Sequence, residues 1–174
     1  MKHGMFLMPS HPPGKDAFAA QQWDLECFKL GDELGFEEAW VGEHFTAPWE
    51  PVPCPDMVIA QGLMVTDRIK FGTGAHLLPF HHPVELAHRV AYLDNLAQGR
   101  FMFGIGSGGL LSDQELYNVD FDAGEHRERT RESLDIILKV WENDGPLEYE
   151  GKFWKFNIPN PDDYQYGANY GPLG

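Results

Sequence analysis

Cysteine is scarce: the 174 residues contain two, Cys27 and Cys54, and neither belongs to a C-x-x-C pair. That count excludes a disulfide framework and a thiolate zinc site, and it makes a reducing cytoplasm the expected location. Basic residues are also few, 13 Lys and Arg against 27 Asp and Glu, for a net charge of −14. They are scattered rather than clustered. A surface of that sign repels phosphate backbones and anionic bilayers, so neither nucleic acid nor a membrane is an expected partner. Long apolar runs are missing. Met5 to Met8 is stopped by Pro9, and no later run approaches the roughly 20 residues that cross a bilayer, so neither a signal peptide nor an anchor is expected. The sequence has no internal repeat and no low-complexity tract.

What is present is enough for one core: 43% of the residues are hydrophobic, with 19 Gly and 13 Pro as punctuation, which predicts a single soluble domain. Gly4 to Met8 is a compact apolar run ended by Ser10, His11 and Pro12, and reads as a buried strand with its exit loop. Asp16 is placed to cap a helix whose Trp23, Cys27, Leu30 and Leu34 form one apolar stripe, with Gly35 closing it. Glu38 to Gly42 is a second strand, followed by a long Pro-rich loop from Pro48 to Pro55. Asp56 to Thr66 is apolar on every side and predicts a helix buried all round, which suggests an oligomer contact.

Ile69 to Leu78 reads as a third strand and its exit. Pro83 opens a helix to about Ala97, and Gly99 closes it. Phe101 to Ile105 is a fourth strand running into Gly106, Ser107, Gly108 and Gly109. Residues 110–124 carry no clear period. After them Leu134, Ile137, Leu138 and Trp141 stripe a helix, and Pro146 to Tyr149 with Phe153 to Phe156 flank Glu150, Gly151 and Lys152 as a hairpin.

Strands alternating with helices predict an α/β fold built of βαβ units on a parallel sheet, with chemistry gathered at the carboxyl ends of the strands. His44 stands where the second strand leaves the sheet. An imidazole there can serve as a general base or orient a cofactor, or it can simply hydrogen-bond loop backbone. Glu43 beside it is expected to turn into the layer between strands and helices. His76, His81, His82 and His88 are dense, but without a carboxylate or cysteine at ligand spacing they read as loop and helix-surface histidines, with no metal. Cys27 reads as a buried spacer. Gly104, Gly106 and Gly109 satisfy G-x-G-x-x-G but follow the fourth strand and open an aperiodic segment, unlike a dinucleotide fingerprint. They allow close approach of a flat ring to main chain.

Several segments in combination resemble the amino-terminal half of the bacterial luciferase-like flavin-dependent monooxygenases. They are Lys2 to Leu7 (KHGMFL), Gly35 to Phe45 (GFEEAWVGEHF), Lys70 to Ala75 (KFGTGA), His82 with Pro83, Leu93 to Gly106 (LDNLAQGRFMFGIG), the Arg-rich helix ending at Trp141, and Tyr149 to Phe156 (YEGKFWKF). The resemblance implies half of a (β/α)8 TIM barrel, four parallel strands plus a helix and hairpin excursion. Residues 1–158 would be the partial barrel and 159–174 a loosely structured tail. A complete barrel takes about 250 residues.

By the same resemblance, His44 matches the catalytic histidine beside the flavin. Gly74 and Ala75 match the third-strand residues against the isoalloxazine ring. Gly106 stands where bacterial luciferase has a cysteine, which disfavours light emission, and Ser107 replaces an arginine used near the phosphate. Phe6, Trp40 and Phe45 would help form an apolar substrate pocket. The implied activity is monooxygenation by reduced FMN and O2 of a small apolar substrate such as an aldehyde, terpene or alkane. A flavin reductase would be the electron source, and a homo-oligomer (a dimer) is expected. The alternatives are hydride transfer with the deazaflavin F420, and a noncatalytic flavin-binding or oligomerisation protein.

Overall fold

The computed structural model describes residues 2–8, 10–143, 145–160 and 163. Of the expected tail, only residues 159, 160 and 163 fall within the described residues. In chain order the elements are β1 (Gly4–Leu7), α1 (Ala17–Glu33), β2 (Glu38–Val41), α2 (Pro55–Val65), β3 (Lys70–Thr73), β4 (His76–Leu77), a 3-10 turn (Leu78–Phe80) and α3 (Pro83–Ala97). There follow β5 (Phe101–Met102), β6 (Ile105–Gly106), α4 (Leu111–Tyr117), α5 (Glu125–Glu142), β7 (Leu147–Glu150) and β8 (Lys155–Ile158).

β1, β2, β3 and β5 form one parallel sheet in that order, while β4 and β6 pair in parallel just beyond β3 and β5. This is the expected run of four parallel strands, with the third and fourth each broken once. The register aligns Phe6, Trp40, Gly72 and Met102 across the sheet. Because side chains alternate faces, Ala39, Val41, Phe71 and Thr73 are buried on the helix side. Trp40 and Gly72 lie on the opposite, concave face.

The helix-side core joins Phe28, Val41, Ile59, Ile69 and Phe71. Phe28 and Phe71 meet edge to face with ring centroids 5.1 Å apart. α2 comes this close because Gly62 has no side chain: a Cβ there would lie 2.7 Å from the Phe71 ring. A second cluster, Leu78, Leu86, Val90, Ile136, Ile137, Val140 and Ile158, joins α3, α5 and the β7–β8 hairpin.

Four sequence expectations need correction. The stripe on α1 is not its packing face: Trp23, Leu30 and Leu34 are exposed and Cys27 is only half-buried, whereas Ala20, Asp24, Phe28, Gly31 and Asp32 face inward. Two buried aspartates explain the reversal. Asp24 pairs with His11 Nε2 at 3.0 Å, and Asp32 accepts the backbone N–H groups of Asp67, Arg68 and Ile69, so polar residues occupy positions that periodicity assigns to solvent.

Secondly, α2 is not buried all round, since Met57, Met64 and Val65 are exposed. Thirdly, the inward face of α5 is Ser133, Ile136, Ile137 and Val140, with Leu138 turned outward, while Trp141 packs at the rim, its indole N–H donating to the Ala87 carbonyl at 3.0 Å. Ser133 is satisfied there by the Trp154 indole N–H at 3.1 Å. Finally, among the described residues β1 is the edge of its sheet rather than a buried strand, with Phe6 60% exposed on the concave side. The aperiodic segment holds the short helix α4, which was not foreseen. The Asp16 cap, donated to by the Ala19 N–H at 2.8 Å, and the hairpin stand as expected.

Candidate active site

The strand ends form two layers. On the concave face the strand ends are lined by glycines and Ala75, with the Trp40 ring against Gly72 and the Phe6 ring against Gly74. A Cβ at Gly104 would lie 2.0 Å from the Thr73 carbonyl oxygen, and a Cβ at Gly106 would lie 3.3 Å from the Ala75 Cβ. No side chain larger than hydrogen fits the first position, and the second would crowd Ala75. The Gly74–Ala75 peptide bond is cis. Phe6 and Trp40 flank this strip, since a Cβ at Gly74 would lie 2.7 Å from the Phe6 ring and 3.5 Å from the Trp40 Cβ. Phe6, Trp40, Gly74, Ala75 and Gly106 are therefore brought together, with Ser107 half-buried on the loop that follows. Phe45 belongs to a different cluster, packing edge-on against Phe80 and Tyr117. Burial, followed by the Glu43 and Asp113 charges, pushes the Tyr117 phenol up.

His44 stands at the exit of β2, the neighbour of β3, and its side chain is 22% exposed. Its Nε2 lies 2.9 Å from Glu50 Oε2 and its Nδ1 3.9 Å from Asp113 Oδ2. Its backbone N–H donates to the Val52 carbonyl at 3.0 Å, which holds the Pro-rich loop across the strand exit.

Beneath the strand ends runs a buried chain of charges. His76, with a fully buried side chain, faces Glu43 Oε2 through Nδ1 at 2.8 Å and Asp56 Oδ1 through Nε2 at 2.5 Å. Asp56 also accepts from Arg89, which reaches Glu85 at 2.8 Å. Glu43 accepts further from His81 Nε2 at 2.8 Å and from the Leu77 N–H at 3.2 Å. A ring with a carboxylate at each nitrogen donates from both, so His76 is an imidazolium. Burial pushes its pKa down, but the hydrogen bonds and charges of Asp56 and Glu43 outweigh it and the net shift is upward. For Glu43 and Asp56 burial pushes upward, and the His76 contact, joined by His81 and Arg89 respectively, brings both below the usual carboxylate range.

This corrects the reading of the histidines as surface groups. His82 is exposed and His88 bonds the Val84 carbonyl of its own helix, but His76 and His81 belong to the interior. The donor atoms of Glu43, His76 and His81 lie within 4.8 Å of one another, a set of the kind that can ligate a cation, and here they satisfy each other. Glu43 occupies the layer expected for it. Sequence reasoning missed Asp56, Arg89 and Asp113 altogether. The partners of Glu43 and Asp56 lie 20 to 38 positions away, so no local spacing marks them.

A run of parallel strands alternating with helices, with glycine-lined strand ends and a histidine at the adjacent strand exit, is the architecture of half an α/β barrel. The chain belongs to the luciferase-like monooxygenase family, whose profile matches residues 1–166. It is 42% identical over 144 residues to 4-hydroxyprotoasukamycin monooxygenase of Streptomyces nodosus subsp. asukaensis, covering 83% of this chain and 38% of that protein. Among solved structures, the oxygenating constituent of 3,6-diketocamphane monooxygenase from Pseudomonas putida, a type II Baeyer–Villiger monooxygenase in complex with FMN, matches with a TM-score of 0.89. It shares 31% identity over all of this chain and 48% of its own. An F420-dependent secondary alcohol dehydrogenase shares the fold alone, with a TM-score of 0.73, 19% identity, and coverage of 89% of this chain and 47% of that one. The chain thus spans less than half the length of each of these proteins. No helix among the described residues is long and apolar enough to cross a membrane.

Proposed function

We propose that this chain carries the flavin-ring side of an FMN-dependent monooxygenase site. The observation that carries the reading is the glycine-lined strip at Gly74, Ala75 and Gly106, on the strand next to the one that ends at His44. A ring laid there would meet main chain, the Ala75 methyl group and the Phe6 ring that lies over Gly74, so the residues present fit the isoalloxazine edge. When bound, reduced FMN would supply the electrons by which O2 oxidises the substrate. His44 would hold and deliver a proton through Nε2, and the Phe6 and Trp40 rings would exclude water from the concave side. Phe45, with Phe80 and Tyr117, would close the pocket from the loop side.

The substrate class in this reading is a small apolar aldehyde, alkane or terpenoid, extended to cyclic ketones by the diketocamphane enzyme's name. A flavin reductase would be the electron source, in keeping with that enzyme's description as an oxygenating constituent. F420 stands as the alternative cofactor on the shared fold alone. A noncatalytic flavin-binding or oligomerisation role is the remaining alternative. The reading includes a cytoplasmic location, supported by the two free cysteines.

Flavin titration tests the ring-binding reading. Ser107 offers one neutral hydroxyl where the family's luciferase has an arginine, and one neutral hydrogen bond is worth about 0.5–1.5 kcal/mol, roughly two- to tenfold in affinity. FMN is therefore expected to bind this chain no more than about tenfold tighter than riboflavin. A preference above about a hundredfold would place a phosphate site among residues assigned no such role. A second test addresses assembly: with Met57 67% and Met64 85% exposed on α2, this helix is expected to pair two copies, and Met64→Lys to shift light scattering from dimer to monomer. A monomeric wild type would remove the dimer from the reading.

A further inference from the structure

His76 and His81 stand four residues apart in the chain, an H-x4-H spacing that suits paired imidazole ligands. The fold supplies the carboxylate that the sequence does not show nearby: Glu43, 33 positions before His76. The three donor atoms lie within 4.8 Å of one another. His76 Nδ1 is 2.8 Å from Glu43 Oε2, and His81 Nε2 is 2.8 Å from Glu43 Oε1. A tetrahedral ion with bonds of about 2.0–2.1 Å holds its donors about 3.4 Å apart and the centroids of two imidazole ligands about 5 Å apart. The His76 and His81 rings already stand edge to face with centroids 5.4 Å apart, so an ion fits once the Glu43 contacts lengthen by about half an ångström. The outer partners are in place as well. A ligating histidine gives its other ring N–H to a carboxylate, which fixes the ring and raises its basicity. Asp56 Oδ1 stands 2.5 Å from His76 Nε2, and Asp56 is itself held by Arg89. Glu43 Oε1 is held by the Leu77 N–H at 3.2 Å, which leaves Oε2 for an ion.

We propose that Glu43, His76 and His81 form a binding site for a divalent transition metal of the zinc class, held by two imidazole nitrogens and one carboxylate oxygen. Two nitrogen donors select Zn²⁺ or Co²⁺ over Mg²⁺ and Ca²⁺, which take oxygen. Binding exchanges a proton for the ion. The proton on His76 Nδ1 leaves to solvent, the Nε2–H stays on Asp56, and His81 carries its ring proton on Nδ1. The hydrogen-bonded network is thus the metal-free form of the same atoms. Three protein donors leave the fourth position to water. Glu43 and His76 are fully buried, and His81, with a side chain 9% exposed, is the ligand nearest the surface. The ligands come from the exit of β2, from β4 and from the end of the 3-10 turn, so a bound ion ties neighbouring strand exits together. The inference does not rest on the flavin reading.

The chain, stripped of metal with a chelator, is titrated with Co²⁺ as a coloured probe. One equivalent is expected to give the intense visible bands of a four-coordinate ion, and Zn²⁺ to displace it, abolish the bands and raise the melting temperature. His81→Ala removes the ligand nearest the surface and is expected to weaken Zn²⁺ binding by about a hundredfold or more, beyond the 10- to 100-fold that loss of an outer partner costs. His82→Ala, at its exposed neighbour, is expected to leave binding unchanged. Nitrogen NMR of the histidine-labelled wild type reads the ligands without any variant: Zn²⁺ is expected to shift Nδ1 of one ring and Nε2 of another. Absence of stoichiometric binding, the faint bands of a six-coordinate ion, undiminished affinity in a folded His81→Ala, loss of affinity in His82→Ala, or any other pair of shifted nitrogens overturns the proposal.

Discussion

Replacing His44 by alanine, or by glutamine to keep a polar side chain, is expected to slow substrate oxidation by about 10²-fold or more while flavin affinity changes less than about threefold. The asymmetry follows from the site's construction. In the proposed site the flavin ring would rest on the strip at Gly74, Ala75 and Gly106, so removing the imidazole takes away no part of that surface. The fold also depends little on this side chain. The bond from the His44 N–H to the Val52 carbonyl is backbone and survives substitution, and the ring's close contact to Glu50 is a partly exposed pair, worth about 0–1 kcal/mol. Loss of turnover with an unchanged melting temperature is therefore the signature of proton handling. Wild-type turnover in both variants at saturating flavin would assign His44 to loop structure instead, the reading its backbone bond alone would support.

What was legible in the sequence divides along a physical line. Strand and helix positions followed from apolar runs and punctuation: Asp16 caps α1, Pro83 opens α3, and the β7–β8 hairpin surrounds Gly151. The strand-end residues His44, Gly74 and Gly106 came from topology together with family resemblance. Burial was read less well, because periodicity counts only apolar side chains. On α1 it selected Trp23, Leu30 and Leu34 for the interior, while Asp24 and Asp32 sit there with their charges satisfied by His11 and by three backbone N–H groups. On α5 the same blindness passed over Ser133, bonded to the Trp154 indole.

The histidines fail for a related reason. Nothing local to His76 in the chain distinguishes it from His82, one buried between Glu43 and Asp56 and the other exposed against Trp154. The difference is made by partners just past β2 and on α2, Glu43 and Asp56, that only the fold assembles. Asp113 is the extreme case, 67 positions from the Thr46 it anchors and on a helix of seven residues too short to show a period.

Asp56→Ala is expected to destabilise the chain by about 3–5 kcal/mol, because it leaves His76 Nε2 and Arg89 Nε without their acceptor in the layer beneath the strand ends and each cation with a single carboxylate partner, Glu43 and Glu85. Urea unfolding near pH 6 measures it. The same network sets a pH window whose edges follow from the shift directions. His76 has a raised pKa in the folded chain, so its contribution is complete below the ordinary imidazole value of about 6.5 and fades as pH rises through the raised one. Glu43 and Asp56 have lowered values, so theirs is complete above the ordinary carboxylate values of about 4 and fades as pH falls through the lowered ones. Stability is thus expected to peak between about pH 4.5 and 6.5 and to decline on the alkaline side as His76 loses its proton between two carboxylates. His76→Leu should lower the peak and flatten that alkaline limb. An alkaline limb of undiminished slope in His76→Leu would mean that another group titrates there and that His76 is held neutral, with one of its two carboxylates carrying the proton.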